Sequence, residues 1–203
     1  MNSARIAVLV SGSGTNLKAL IDAWKEGKFG NGEIFLVISS RAGAFALERA
    51  QKEGIKTLTI ERKMFTDIEG FDAALFSALS EHNIDLVVLA GFLSILGQQV
   101  LKGFKNKIIN VHPSLIPSFC GKGFYGLHVH EEVLKYGVKV TGATVHFVNN
   151  VIDGGRIILQ KAVDVLPGDT PETLQERVMR EGEWTLLPQA VAMFCRGEIK
   201  NEI

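Results

Sequence analysis

Asn110-Val111-His112-Pro113-Ser114-Leu115-Ile116-Pro117 puts a carboxamide and an imidazole two residues apart, at the end of an apolar run over residues 107–111. Alternation along a strand places both side chains on one face. Pro113 then turns the chain out of the sheet at once. A carboxamide can hold an oxygen and an imidazole can protonate it. The pair therefore suits the tetrahedral intermediate formed when a nucleophile adds to a carbonyl carbon. A lone histidine is more often a structural one bonded to backbone, but pairing with Asn110 at a strand's carboxyl end points to chemistry.

Two further stretches carry chemical potential. Ser11-Gly12-Ser13-Gly14-Thr15-Asn16 follows the first apolar run and opens a helical stretch. Glycines let backbone approach a ligand closely, and a helix N-terminus favours anions, phosphate above all. There is no Gly-Lys-Ser/Thr, so it is not a P-loop, and Leu17 replaces the third glycine of a dinucleotide fingerprint. A phosphate monoester fits better than a dinucleotide; the bland reading is a tight turn with no ligand. Asn149-Asn150-Val151-Ile152-Asp153-Gly154-Gly155 is a polar, glycine-ended connection. An Asp before two glycines is usually a turn former. If the loop folds over the strand end, Asp153 pairs with His112.

The remaining histidines carry less weight. His82 falls near a helix end, as an exposed or capping residue, and His146 falls in a strand as a supporting residue. His128 and His130 are expected in a mobile loop and at the start of the helix after it. With no cluster of carboxylate ligands, a metal site is rejected.

The elements that must position these residues follow from periodicity. Short apolar runs at residues 5–10, 33–39, 55–60, 86–90 and 107–111 read as buried strands. Amphipathic stretches at residues 15–26, 44–53 and 67–82 read as helices. Gly54 stands where a left-handed residue closes the second helix. Strands alternating with helices indicate a mostly parallel, Rossmann-like twisted sheet flanked by helices. Residues 140–148 and 156–165 read as two strands of a C-terminal antiparallel hairpin. Thr170-Pro171 reads as a helix start, with an interruption expected near Pro188. Without internal repeat or linker, residues 1–203 read as one domain. Ligands in such sheets bind beyond the strands' carboxyl ends, which directs attention to residues 11–16, 91–96 and 112–114.

Composition narrows the class. The chain has 203 residues, 22 Lys+Arg against 22 Asp+Glu, and two well-separated cysteines, Cys120 and Cys195. A balanced charge argues against a general nucleic-acid footprint. The cysteines form neither a disulfide framework nor a zinc pattern. No apolar run reaches membrane length. A cytoplasmic protein without nucleic-acid or membrane partners is the expectation; small-molecule substrates and a monomer or weak homodimer are expected as well, though composition does not fix them.

At this point the chain resembles the phosphoribosylglycinamide formyltransferase family. The matching elements are Ser11-Gly12-Ser13-Gly14-Thr15-Asn16-Leu17, Leu89-Ala90-Gly91-Phe92, Asn110-Val111-His112-Pro113-Ser114-Leu115, Gly126-Leu127-His128, His146-Phe147-Val148 and Asp153-Gly154-Gly155. They fall in the family's order and cover nearly the whole chain. The resemblance implies transfer of the formyl group of 10-formyltetrahydrofolate to the amine of 5-phosphoribosyl-glycinamide, with no metal. It implies His112, Asn110 and Asp153 as the catalytic trio. It implies Gly14, Thr15, Asn16, Arg180 and Glu183 as contacts to the phosphoribosyl substrate. Folate contacts are implied for Leu93, Ser94, Ile95, Leu96, Asn110, Thr144, Asn149, Asn150, Val151, Ile152 and Asp153. Ser94 and Ile68 stand where relatives carry arginine, which bears on the folate's glutamate tail. Phe119-Cys120-Gly121-Lys122-Gly123-Phe124-Tyr125 looks like an insertion variant with an incidental cysteine.

Rival readings remain. A formyltetrahydrofolate hydrolase shares the trio and usually carries an extra N-terminal domain, for which a first strand at Arg5 is expected to leave no room. A methionyl-tRNA formyltransferase adds a C-terminal domain, which a chain ending at Ile203 is expected to lack, and tRNA is disfavoured by the charge balance. A non-catalytic folate- or nucleotide-binding protein would keep the glycine-rich turn without needing the trio.

Overall fold

A computed structural model describes residues 3–199 of the chain. They divide into two compact units, one holding residues 3–109 and 191–199, the other Asn110–Ala190. Hydrogen bonding joins seven strands in the order β3-β2-β1-β4-β5-β6-β7.

The first unit alternates strands and helices: β1 (Ala4–Val10), α1 (Thr15–Lys25), β2 (Gly32–Ser39), α2 (Phe45–Lys52), β3 (Lys56–Thr59), α3 (Ile68–Glu81), β4 (Leu86–Leu89), α4 (Gln98–Gly103) and the start of β5 (Ile108–His112). β1 pairs in parallel with β2 on one side and β4 on the other, and β2 pairs in parallel with β3. Ile6 to Val10 and Leu86 to Val88 are wholly buried. Such continuous apolar runs are what a parallel strand covered on both faces requires. Because β2 and β4 flank β1, strand order reverses at β1. The segments after β1 and β4, residues 11–16 and 91–96, lie at that switch, where α/β sheets bind ligands.

The second unit contains α5 (Leu127–Tyr136), β6 (Val140–Phe147), β7 (Ile157–Asp164), α6 (Pro171–Val178) and the start of α7 (Trp184–Cys195). β6 and β7 are antiparallel from Val140↔Asp164 to His146↔Ile157, with a register shift between Val145 and His146. This is the mostly parallel sheet with flanking helices and a C-terminal hairpin that the alternation predicts. Thr170 caps α6 through a reciprocal bond with Thr173, with Pro171 in the first turn. Gly54 has the left-handed φ of 72° expected at its helix end. His82 caps α3, its Nδ1 lying 2.8 Å from the Ala78 carbonyl. Among the described residues no helix is long and apolar enough to cross a membrane.

Three details differ from the sequence reading. Short helix α4 was not foreseen, since six residues are too few to display a period. His128 lies in the first turn of α5 rather than in a mobile loop; His130 is at that helix start, as expected, and shares the buried face with Val129 and Val133. Pro188 sits within α7 without interrupting it. The interruption comes earlier, in a π turn over Met179–Glu183, where Trp184 N–H bonds the Met179 carbonyl. Proline there removes only a bond to the carbonyl of Trp184, the first residue of α7, where the bonding pattern is already changing phase.

Candidate active site

In the first unit β1 delivers its chain into the glycine-rich turn. Gly14 is the N-cap of α1 with a left-handed φ of 72°. A Cβ there would stand 2.6 Å from Ala46 Cβ, so glycine is required by both conformation and space. The turn is tied to α2 by Ala46 N–H donating to the Gly12 carbonyl at 3.1 Å, and by Arg49 Nε donating to the Ser13 carbonyl at 3.0 Å. Thr15 and Asn16 form the first turn of α1, and Asn16 is buried. After β4, Leu93 and Ile95 are exposed while Leu96 is buried.

In the second unit four side chains converge. Asn110 and His112 project from the same face of β5, His146 comes from β6, and Asp153 from the loop between β6 and β7. His112 Nδ1 lies 3.5 Å from Asp153 Oδ2, and His146 Nε2 lies 3.7 Å from Asp153 Oδ1. Asn110 Nδ2 lies 3.2 Å from His146 Nε2. His112, His146 and the Asp153 side chain are buried or nearly so.

The hydrogen-bond pattern orients these groups. His146 Nδ1 is 2.8 Å from the Phe147 carbonyl, an acceptor, so that nitrogen carries a hydrogen and donates. Burial lowers the His146 pKa below its ordinary 6.5, against the pull of the Phe147 carbonyl and Asp153, with His112 adding to the lowering. A neutral ring leaves Nε2 as acceptor for Asn110 Nδ2–H. The carboxamide therefore turns its nitrogen toward His146 and keeps a second N–H for another oxygen.

His112 Nε2 lies 2.9 Å from the Phe119 carbonyl, and Asp153 Oδ2 accepts the Gly121 N–H at 2.9 Å. One ring nitrogen of His112 thus faces a carbonyl and the other a carboxylate, both acceptors. Residues 119–121, part of the segment read from sequence as an insertion variant, hold the pair from both sides. Phe119 and Gly121 have left-handed φ of 49° and 91°, and a backbone atom leaves no residue-type signature. The thiol of Cys120 is pushed up by burial and by the charge of Asp153, which suppresses thiolate chemistry.

Asp153 itself has a left-handed φ of 54°. Asp tolerates that conformation better than most residues, and such outliers gather at functional sites. Gly155 follows because a Cβ would overlap the Phe147 carbonyl at 1.6 Å. Asn149 Oδ1 accepts the Val151 N–H at 2.8 Å, closing an Asx turn that leaves Val151 and Ile152 exposed. Thr144 is fully buried; its hydroxyl donates to the Ser114 carbonyl at 2.7 Å and accepts the Ile116 N–H at 3.1 Å. It therefore fixes the turn after β5. Arg180 and Glu183 occupy the π turn, Arg180 exposed and Glu183 buried. Gly182 between them packs on β6, where a Cβ would lie 2.9 Å from Ala143 Cβ. Among the described residues no group of three or more His, Cys, Asp or Glu could hold a metal ion.

A family model described as formyl transferase matches residues 4–191. Phosphoribosylglycinamide formyltransferase of Escherichia coli K12 is 38% identical over 195 residues, covering 96% of this chain and 89% of that protein. The chain belongs to the phosphoribosylglycinamide formyltransferase family. It is also 44% identical over 197 residues to the trifunctional purine biosynthetic protein adenosine-3 of Bos taurus, of whose length it spans 19%. Among solved structures, glycinamide ribonucleotide transformylase 1 from Symbiobacterium toebii superposes with a TM-score of 0.92 at 44% identity, covering 98% of this chain and 91% of that one. The phosphoribosylglycinamide formyltransferase of Coxiella burnetii superposes with a TM-score of 0.90 at 36% identity, covering all of this chain and 92% of that one.

Proposed function

We propose that the chain transfers the formyl group of 10-formyltetrahydrofolate to the amine of 5-phosphoribosyl-glycinamide, in purine biosynthesis. The observation that carries this is the network of Asn110, His112, His146 and Asp153, its two imidazoles buried, with His112 Nδ1 3.5 Å from Asp153 Oδ2, in a chain of this family.

The roles follow from the donors and acceptors. The substrate amine attacks the formyl carbon, forming a new C–N bond while the bond to the folate nitrogen breaks. Asn110 donates its remaining N–H to the formyl oxygen. Protonated His112 stabilises the oxyanion and serves as general acid. Asp153 supports the charge on His112 and takes part in moving a proton from the attacking nitrogen to the leaving one through water. No covalent enzyme intermediate is needed, and positioning of both substrates supplies much of the acceleration.

Gly14, Thr15 and Asn16 would hold the substrate phosphate at the start of α1; by the resemblance, Arg180 and Glu183 are contacts of the second unit to the same substrate. By the resemblance, Leu93, Ser94, Ile95 and Leu96 are folate contacts of the first unit, and Asn149, Asn150, Val151, Ile152 and Asp153 are folate contacts of the second. Thr144 contributes by fixing the turn after β5. The cytoplasm is the proposed location.

One assay tests the reading. Protein is mixed with 10-formyltetrahydrofolate, and folate product is followed with and without phosphoribosyl-glycinamide. Turnover that depends on the acceptor is expected. Acceptor-independent turnover would mean a hydrolase, and no turnover a binding protein.

A further inference from the structure

Residues 93–97 form a strap pinned at both ends by buried polar side chains that the reaction above does not use. At its start Leu93 N–H donates to Ser11 Oγ at 2.9 Å, and Ser11 Oγ lies 2.6 Å from Ser40 Oγ. Both serines are buried and follow the carboxyl ends of β1 and β2, so the strap's first amide is referenced to the sheet. At its end Gly97 N–H donates to Asp72 Oδ1 at 2.9 Å and Gln99 N–H donates to Asp72 Oδ2 at 2.6 Å. Asp72 belongs to α3 and is 2% exposed. A Cβ on residue 97 would stand 2.5 Å from the Asp72 carboxyl carbon, so Gly97 is shaped to that carboxylate.

Between the pins, Leu93 and Ile95 present apolar side chains to solvent at 52% and 62% exposure. Apolar groups on a loose loop lose affinity to the ordering that binding demands; on a fixed backbone that loss is already met. The pins therefore act on affinity rather than on the chemical step.

We propose that Ser11 and Asp72 are positioning residues for the folate co-substrate, pre-organising residues 93–97 without touching the reacting atoms. This rests on the strap being the folate-binding segment. Asp72→Asn and Ser11→Ala are compared with wild type by steady-state kinetics in both substrates and by amide exchange. Asp72→Asn keeps the shape and one acceptor oxygen, which favours folding; Ser11→Ala removes the other pin independently. Each is expected to raise the KM for 10-formyltetrahydrofolate about tenfold, the loss of a hydrogen bond to a buried acceptor, with kcat within about twofold. For Asp72→Asn the acceptor KM should stay within the same margin. Faster exchange is expected at Leu93 in Ser11→Ala, and in Asp72→Asn at whichever of Gly97 and Gln99 faces the new amide nitrogen.

Folded variants with wild-type folate KM would overturn the proposal. So would equal rises in both KM values for Asp72→Asn, which mark a general structural role. Ile95→Asp, which alters only an exposed strap side chain, separates the two layers. If it leaves folate KM unchanged, the folate-strap reading itself fails. If it raises folate KM while the pin variants do not, only the pinning inference fails.

Discussion

His112 Nδ1 lies 3.5 Å from Asp153 Oδ2 while His112 Nε2 is held 2.9 Å from the Phe119 carbonyl. Nε2 is held at the backbone carbonyl, and Nδ1 is the nitrogen beside the carboxylate; in the proposed reaction Nδ1 is the one that would turn from Asp153 to the substrate oxygen. Asp153→Asn keeps the shape and removes the charge. It is expected to lower kcat by about 10²–10³-fold, the range for losing one electrostatic group at a developing oxyanion, and to alter the pH–rate profile. Unchanged rate and profile would show that Asp153 is only a turn former.

His146 contacts Asn110, the residue proposed to hold the formyl oxygen. Its neutral Nε2 is the acceptor that turns the Asn110 carboxamide nitrogen inward, at 3.2 Å. His146→Phe preserves bulk and deletes the acceptor. A fall in kcat of about tenfold is expected from a mis-set amide, with acceptor KM nearly unchanged. Adding Asn110→Ala to this variant should then cost less than Asn110→Ala alone, because the two act as one unit.

The parallel half of the fold was legible because its strands are unbroken apolar runs and its helices long enough to show a period. The candidate site was legible where it is built from side chains: that Asn110 and His112 share a face follows from strand alternation alone. Asp153 did not. Its loop reads as a turn, and only the fold of residues 149–155 brings it to His112. Phe119 and Gly121 were opaque for another reason, since they act through a carbonyl and an N–H that every residue has. Ser11 and Asp72 were hidden because their partners lie 82 and 25 residues away. Arg180 and Glu183 were named by resemblance, and the π turn that carries them has no sequence period.

His130 sets an acid limit on stability. It is fully buried in α5, and neither ring nitrogen meets a partner among the described residues. Burial, aided by the positive potential of His112, lowers its pKa from 6.5 to about 4. The unfolded chain therefore binds a proton more readily than the native one. Stability is complete above pH 6.5 and falls as pH drops toward 4, by up to about 3 kcal/mol from this residue. His146, also lowered, acts in the same direction. Urea unfolding at pH 7.5 and pH 5 should show the loss in wild type, and His130→Phe should reduce it. An identical pH slope in the variant would remove His130 from this account.

Gly155 ties the hairpin end to the placement of Asp153 and His146, the groups proposed for catalysis. A Cβ there would meet the Phe147 carbonyl at 1.6 Å, next to the register shift at Val145/His146. Backbone cannot yield as a flexible side chain can, so Gly155→Ala must displace one side of the hairpin end. Asp153 lies two residues before it and His146 one residue before Phe147. The substitution is expected to destabilise by about 1–3 kcal/mol. It should also lower kcat by more than tenfold, since small misplacement of catalytic groups is heavily penalised. Thermal melting and single-turnover kinetics check both. A folded Gly155→Ala protein with lowered Tm and normal single-turnover rate would show that Asp153 and His146 hold their places independently of the turn.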